Sequence, residues 1–409
     1  MNIWIINHYA LTPEFSGGTR HYDIAGRLAR QGHDVTIIAS SFHYATLEEM
    51  KRYSEGEDFL IETIDGIRFV WIKTDPYRGN GLKRVWNMLQ FTWKLHRLTS
   101  LPLPGPDVVV GSSVHLFAVY GAYRLAKQYG ASFVMEVRDI WPQTLIDMGV
   151  SKWHPFVQVL GWLEPFLYRR ADAIITLLPR ASEHIERFGV SAEKIAWISN
   201  GVDIAKMDQA LPSKRLDHGK FNILYAGTIG KANNLEVLID AAKRVEKISD
   251  IVITIVGEGP LKEKLQKEAR ELQNVKFLPS VSKREVPGLL KEADVLFVGL
   301  KNLPLYRFGM SMNKVFDYMA VSKPVIFATN VFENPIKAAE SGIVVEPESP
   351  ESIAKAIERL YNCSEDDRMR MGQAGYDYVK NRFDIDIIAS KFEALLKKVY
   401  NEKKIAPGE

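Results

Sequence analysis

Ile3-Trp4-Ile5-Ile6, Ser16-Gly17-Gly18-Thr19-Arg20 and Asp34-Val35-Thr36-Ile37-Ile38-Ala39 follow one another at the start of the chain, and their reading decides the fold. The first is an apolar run that predicts a buried parallel strand. Past the glycine pair, Ile24, Ala25, Leu28 and Ala29 recur on one helical face, and Gly32 stops that helix. The third stretch predicts the next strand. The whole is a β-loop-α-β unit with two glycines just before the helix. Glycines there let backbone N–H groups approach an anion, and the helix dipole adds partial positive charge. The loop is therefore either phosphate-facing or an ordinary βα turn that needs positive φ. It is not a dinucleotide fingerprint, because G-x-G-x-x-G is missing.

Outward from that unit, length sets the frame. A chain of 409 residues exceeds one ordinary core and predicts two or three domains. Its 46% hydrophobic and 25% charged residues are those of a globular protein. A net charge of +3 with no clustered basic stripe argues against a nucleic-acid partner. The single cysteine, Cys363, excludes an internal disulfide and fits a reducing compartment. Neither a signal peptide nor a run of about eighteen apolar residues is present, so a cytoplasmic protein is expected.

Strands and helices keep alternating. Asp65-Gly66 between the apolar runs 59–63 and 67–72 predicts a hairpin. Runs 107–110 and 132–135 predict core strands with one helix between them, and 173–176 and 195–198 extend the series. Residues 203–220 lack periodicity, carry Pro212, Ser213 and Gly219, and read as an interdomain linker. A second series follows, with strands at 221–226, 251–256, 275–277, 295–298 and 324–327. Two parallel sheets covered on both faces are expected, with ligands at the carboxyl ends of the strands and a cleft where the domains face each other.

The second series has its own glycine loops. Ala226-Gly227-Thr228-Ile229-Gly230-Lys231 and Val256-Gly257-Glu258-Gly259-Pro260 each join a strand to a helix, and Pro260 suits a first helical turn. With the Gly17-Gly18 loop they point to a nucleotide. Further on, Ser311 is placed to cap a helix whose first turn holds Asn313 and Lys314. That puts free N–H groups and a lysine beside a diphosphate, and Asp317, one turn on, suits a ribose diol. A capped helix with a solvated Lys-Asp pair is the alternative.

Taken in order, these segments resemble the retaining GT-B glycosyltransferases of family 4. The resemblance covers nearly the whole chain. It rests on Gly17-Gly18 with Leu28-Ala29-Arg30-Gln31-Gly32-His33-Asp34-Val35, on Ala171-Asp172-Ala173-Ile174-Ile175, and on Ile198-Ser199-Asn200-Gly201-Val202-Asp203. It continues through Tyr225-Ala226-Gly227, Ile255-Val256-Gly257-Glu258-Gly259-Pro260, and Asp317-Tyr318-Met319-Ala320 followed by Lys323-Pro324-Val325-Ile326. Asn313-Lys314-Val315-Phe316-Asp317-Tyr318-Met319-Ala320 is similar to the bacterial branch that builds O-antigen, capsule and exopolysaccharide units, N-acetylfucosamine transferases included.

The resemblance implies an α/β GT-B fold of two Rossmann-like, doubly wound domains. An acceptor-binding domain is expected over 1–203, a linker over 204–220 and a donor-binding domain over 221–380. A C-terminal helix over 381–409 is expected to return to the first domain. It also implies retaining, metal-independent transfer, with no cofactor beyond the donor. That donor is a UDP-sugar carrying an N-acetylated hexosamine or deoxyhexosamine. The expected donor-binding residues are Gly17, Gly18, Gly227, Thr228, Lys231, Asn233, Gly257, Glu258, Gly259, Val281, Ser311, Met312, Asn313, Lys314 and Asp317.

This chain departs from the family pattern at several positions. The first acid of the family's Glu-x7-Glu falls on Gly309, and Asp317 matches the second. The Arg and Lys that grip the diphosphate fall on Thr228 and Asn233, so Lys231 or Lys314 is expected to supply the charge. The family's histidines fall on Ser112 and Arg138. His115, after Ser113-Val114, and Asp139 follow two adjacent predicted strands, and His115, Arg138 and Asp139 are the catalytic candidates. For His115 a structural cap is the alternative, and for Asp139 an ion pair with Arg138. The one D-x-D, Asp384-Ile385-Asp386, reads as acids at a helix start.

Along 82–98, Leu82, Val85, Trp86, Leu89 and Trp93 fall on one helical face, and Lys83, Asn87, Gln90, Lys94 and Arg97 on the other. A basic, Trp-rich amphipathic helix suits a membrane surface, with Trp86, Trp93, Lys94 and Arg97 as its contacts. A core helix with a wet face is the alternative. Residues 153–170 form a second candidate, interrupted by Glu164 and Pro165. A lipid-linked saccharide acceptor at the inner membrane face is therefore expected. A soluble acceptor, or a UDP-sugar 2-epimerase of the same architecture, stays open.

Overall fold

The computed structural model describes residues 1–15, 17–113 and 115–405; Ser16 and Val114, quoted above, lie outside the described residues. The chain divides into two compact units. One takes Met1–Thr12, Gly17–Ser199 and the stretch from Asp386 onward, and the other takes Pro13–Phe15 and Asn200–Ile385. Both are Rossmann-like α/β units, each with its own sheet.

The first unit holds strands β1 (Asn2–Ile6), β2 (Asp34–Ser40), β3 (Phe59–Ile64), β4 (Ile67–Ile72), β5 (Val108–Ser112), β6 (Ser132–Val137), β7 (Ala173–Thr176) and β8 (Ile195–Trp197). Their order is β3-β4-β2-β1-β5-β6-β7-β8. All neighbours are parallel except β3 and β4, the Asp65-Gly66 hairpin, where both turn residues have positive φ (49° and 79°). The central β1 pairs Ile3 with Val35 on one side and with Val108 on the other. Buried on both faces, these strands are continuous apolar runs, and each fully buried Ile, Val or Phe contributes about 1.5–3 kcal/mol.

Three helices of this unit place its candidate residues. The helix α1 (Arg20–Arg30) follows the Gly17-Gly18 loop and buries Ile24, Ala25 and Leu28. Helix α2 (Leu82–Leu95) packs on α3 (Leu116–Tyr129) at Gly121, where a Cβ would lie 2.5 Å from Leu95 Cδ1. Helix α2 stops short of the expected Leu98, and the chain continues as a 3-10 turn, His96–Ser100.

The second unit holds β9 (Phe221–Ala226), β10 (Ile251–Val256), β11 (Val275–Leu278), β12 (Val295–Gly299), β13 (Val325–Ala328) and β14 (Gly342–Val345). They form an all-parallel sheet in the order β11-β10-β9-β12-β13-β14. β14 goes beyond the sequence reading, because its short run Ile343-Val344-Val345 is only half-buried at the sheet edge.

Two other local readings change. Pro260 lies outside a helical first turn, since the helix Lys262–Glu268 begins two residues later with Leu261 at its N-cap. Within the expected linker, Ile204–Gln209 is helical because Asp203 Oδ1 accepts from Lys206 N–H at 3.1 Å.

Candidate functional site

In the second unit the expected donor residues gather at the carboxyl ends of β9 to β12. Their glycines also have a packing role that the sequence did not show. Gly257 has φ +148°, and a Cβ on it would lie 1.9 Å from the Gly227 carbonyl oxygen. Gly259, at φ +159°, would clash with the Ile229 oxygen at 2.3 Å. The two loops are laced backbone to backbone, with Gly227 N–H donating to Val256 O (2.9 Å) and Ile229 N–H to Glu258 O (2.8 Å). These glycines permit loop-on-loop packing, which holds the end of β9 rigid.

What that rigid loop presents is a lysine. A Cβ at Gly227 would sit 2.8 Å from Lys314 Nζ, so the glycine makes room for the ammonium group. Lys314 Nζ donates to the Tyr225 hydroxyl at 2.8 Å and to Asn233 Oδ1 at 3.1 Å, and lies 4.3 Å from the Tyr225 ring centroid. The Tyr225 hydroxyl and Asn233 Nδ2 both donate to the Thr228 carbonyl, at 2.6 and 2.9 Å. No carboxylate pairs with Lys314 among the described residues. Burial pushes its ammonium group down to about 7. An ammonium held without a counter-ion is suited to an incoming anion.

Lys314 belongs to the helix Asn313–Met319, whose N-cap is Met312 with no side-chain cap. The expected Ser311 cap is therefore corrected. The Ser311 hydroxyl accepts from Asn200 N–H at 2.9 Å, and its carbonyl accepts from Asn200 Nδ2 at 2.7 Å. The helix start keeps its N–H groups clear of any side-chain cap. Asp317 lies one turn on and is half-buried. Tyr318, beside it, sutures β9, its hydroxyl taking Ala226 N–H at 2.7 Å and donating to Ala226 O at 3.0 Å. Lys231 is exposed on a one-turn 3-10 helix. Glu258 is exposed and paired with Lys262 at 2.6 Å, and Val281 is half-buried beyond β11.

The first unit has a buried ionic network that sequence reasoning missed. Glu136, at the end of β6, is fully buried. Its carboxylate accepts from Arg20 Nε (3.0 Å), His21 Nε2 (2.7 Å) and the Ser112 hydroxyl (2.8 Å). Burial pushes the Glu136 carboxyl up, but Arg20 and then His21 overcome it and hold it well below the carboxylate range. Arg20 also donates to the Ser199 and Ile198 carbonyls, at 2.5 and 2.9 Å. Its sequence signals were Arg20 and His21 at the first turn of α1 and Glu136 at the end of an apolar strand run.

His115 is a structural residue. It is the N-cap of α3, its Nδ1 accepting from Ala118 N–H at 3.2 Å. Burial, with Arg84 adding to it, pushes its pKa down to about 3, and burial holds His8 well below the ordinary value. Neutral His115 must therefore carry its proton on Nε2, which donates to His8 Nδ1 at 2.8 Å. Both ring nitrogens are engaged and the residue is 1% exposed, which corrects the expectation of a sugar contact. Arg138 is half-buried, with its N–H on the Ser113 hydroxyl at 2.9 Å. Asp139 keeps an exposed edge, and no ion pair joins it to Arg138 among the described residues. The protein packed around it pushes its carboxyl up, against the pull of Arg138. Of the catalytic candidates, Arg138 and Asp139 keep side chains that solvent reaches.

The Gly17-Gly18 loop precedes α1, and a Cβ at Gly17 (φ +141°) would lie 2.7 Å from Leu11 Cδ1. On α2 the apolar stripe faces outward. Leu82 is 87% exposed, Trp86 58% and Trp93 60%, while Asn87, Met88, Phe91, Lys94 and Leu95 are buried. The helix still has a core face, but Met88, Phe91 and Leu95 supply it, not the stripe read in the sequence. Lys94 and Arg97 are corrected too, because both turn onto Asp58, Lys94 Nζ at 2.5 Å. The helix Pro155–Arg170 exposes Trp162 and Val159, with Trp153 exposed just before it. Glu164 lies inside, accepting from Tyr168 and His184. Among the described residues, no helix is long and apolar enough to cross a membrane.

Residues 17–201 match the model of the Glycosyl transferase 4-like domain, and residues 207–378 that of Glycosyl transferases group 1. The chain is 26% identical to the Escherichia coli protein WcaI, named as a glycosyl transferase of colanic acid biosynthesis, over 85% of this chain and 89% of that one. Sucrose-phosphate synthase from Thermosynechococcus elongatus has the same fold, with a TM-score of 0.76 at 16% identity, covering 98% of this chain and 99% of that one. HepE from Anabaena, solved in complex with UDP-glucose, superimposes with a TM-score of 0.66 at 15% identity, covering 97% of this chain and all of its own.

Proposed function

We propose that this glycosyltransferase, a glycosyl transferase 4-like domain joined to a group 1 domain, moves a sugar from a UDP-sugar to a lipid-linked saccharide at a membrane surface, with retention of anomeric configuration. One observation carries the donor half: the counter-ion-free Lys314 ammonium, held over Gly227 by Tyr225 and Asn233. The family pattern puts its diphosphate-binding cations at Thr228 and Asn233. Here the lysine comes from the neighbouring helix and touches Asn233. HepE with bound UDP-glucose supports a uridine diphosphate donor.

Breaking the bond between the anomeric carbon and the diphosphate oxygen leaves negative charge on the diphosphate and positive charge on the sugar. Lys314 and the uncapped N–H groups of its helix stabilise the first, and a preorganised donor of this kind is worth on the order of 3 kcal/mol. Asp317 accepts from the ribose diol. The leaving phosphate takes the acceptor's proton on the face it departs from, which gives retention. Asp139 orients the acceptor hydroxyl. The transferred sugar is an N-acetylated hexosamine or deoxyhexosamine, and the product is a cell-surface polysaccharide precursor, a role supported by the likeness to WcaI.

The acceptor half rests on the outward ridge of Leu82, Trp86, Leu89 and Trp93, whose burial in a lipid headgroup layer removes apolar surface from water. Equilibrium titration with UDP and with uridine tests the donor reading. UDP is expected to bind at least tenfold more tightly; equal affinities would overturn it.

A further inference from the structure

A cavity of about 460 Å³ opens beside α2 in the first unit, and none of the residues assigned above to the donor lines it. It lies at the carboxyl ends of β2 and β4, the ligand side of a parallel sheet. Its volume is that of a small-molecule site. Four carboxylates line it, those of Glu49, Glu57, Asp58 and Asp75, against two ammonium groups, Lys73 and Lys94. Phe42, Leu47 and Pro76 supply an apolar wall.

The lining chooses among ligand classes. The excess of carboxylates repels a phosphate or a uronate. Among the described residues no three carboxylates or histidines converge as a metal site needs. Asp58 is neutralised by Lys94 and Arg97, and Asp75 Oδ2 accepts from Trp86 Nε1 at 3.1 Å. Both therefore keep fixed geometry while retaining free lone pairs. Fixed acceptor oxygens above an apolar wall suit a pyranose, whose hydroxyls donate at its rim while its C–H face packs on carbon. The Asp75–Trp86 bond ties the cavity to the exposed ridge of α2.

We infer that this cavity binds a neutral saccharide, the sugar part of the acceptor, while the Trp86 ridge meets the lipid surface. The inference rests on the acceptor reading above. Saturation-transfer NMR on the full chain tests it with glucose, galactose, N-acetylglucosamine, N-acetylgalactosamine and their disaccharides, and with glucose 1-phosphate as the anionic comparison. At least one neutral sugar is expected to bind, to stay bound under saturating UDP, and to weaken at least tenfold in Glu57→Gln/Asp75→Asn. Glu57→Gln alone, at an exposed position, serves should the double variant unfold, and a several-fold loss is expected there. No binding by any neutral sugar, displacement by UDP, or tighter binding of glucose 1-phosphate would each overturn it. UDP titration of the same proteins separates the two readings. Sugar binding without UDP binding sinks the donor reading alone, and UDP binding without sugar binding sinks this one.

Discussion

Replacing Lys314 by Met keeps the length of the side chain and removes its charge. In the free protein the ammonium group titrates near 7, because burial opposes its charge and no carboxylate compensates. A bound diphosphate supplies that counter-charge and raises the value back towards the ordinary 10.5. Donor binding is therefore linked to protonation. Affinity for UDP-glucose, whose diphosphate ester does not itself titrate near neutrality, should fall about tenfold between pH 6 and pH 8, each decade being about 1.4 kcal/mol. Calorimetry at pH 8 in buffers of different ionisation enthalpy should show uptake of roughly one proton. Lys314→Met should bind about ten- to a hundredfold more weakly at pH 6, the worth of a charged hydrogen bond, and lose the pH dependence. Stability gives an independent sign. The folded-state value is depressed, so the unfolded chain binds more protons between about 7 and 10.5, and stability rises with pH across that window. Below it the burial penalty is full, so Lys314→Met should raise the Tm of the ligand-free protein at pH 6. A variant that keeps the wild-type pH profile of binding would refute the placement of the diphosphate at Lys314.

Asp317→Ala should raise the donor KM about ten- to a hundredfold in steady-state assays, through lost ribose hydrogen bonds; an unchanged KM in a folded variant removes the ribose assignment. Asp139→Asn keeps shape and removes charge, so turnover should fall at least tenfold while UDP binding by calorimetry stays intact; near wild-type turnover removes Asp139 from the chemistry. Trp86→Ser/Trp93→Ser should abolish co-sedimentation with anionic phospholipid vesicles while the protein stays folded, since both side chains are largely exposed and the one bond lost is the surface contact to Asp75; persistent co-sedimentation means the ridge is not the membrane contact.

The two α/β sheets were legible because strands buried on both faces are continuous apolar runs, as in Phe221–Ala226 and Ile251–Val256. The hairpin was legible from Asp65-Gly66, whose chemistry fits one turn type. The donor loop was half legible. Lys314 and Asn233 stood out in the sequence, but their hydrogen bond did not, because 81 residues separate the two and only the crossover topology brings them together. The α2 stripe was placed on one face from its spacing, but period alone does not say which face meets the core, and Asn87 and Lys94 of the expected polar face are buried. Met88, Phe91 and Leu95 are the buried face, with Leu95 seated against Gly121 of α3, and the tryptophans are left outside. His115 misled for a related reason. A histidine past a strand end is the same signal whether it caps a helix or meets a ligand, and only its two engaged nitrogens tell them apart.

Transfer from a nucleotide-sugar to a lipid-linked saccharide is the step on which the proposed function stands. Incubating the purified protein with isolated bacterial membranes and a panel of UDP-sugars, then reading the lipid fraction by mass spectrometry, tests it most directly. The expected product is a polyprenyl-diphosphate saccharide heavier by one N-acetylated hexosamine or deoxyhexosamine, formed with stoichiometric UDP release and lost in Lys314→Met. An isomerised free UDP-sugar with no gain of mass in the lipid fraction would contradict it.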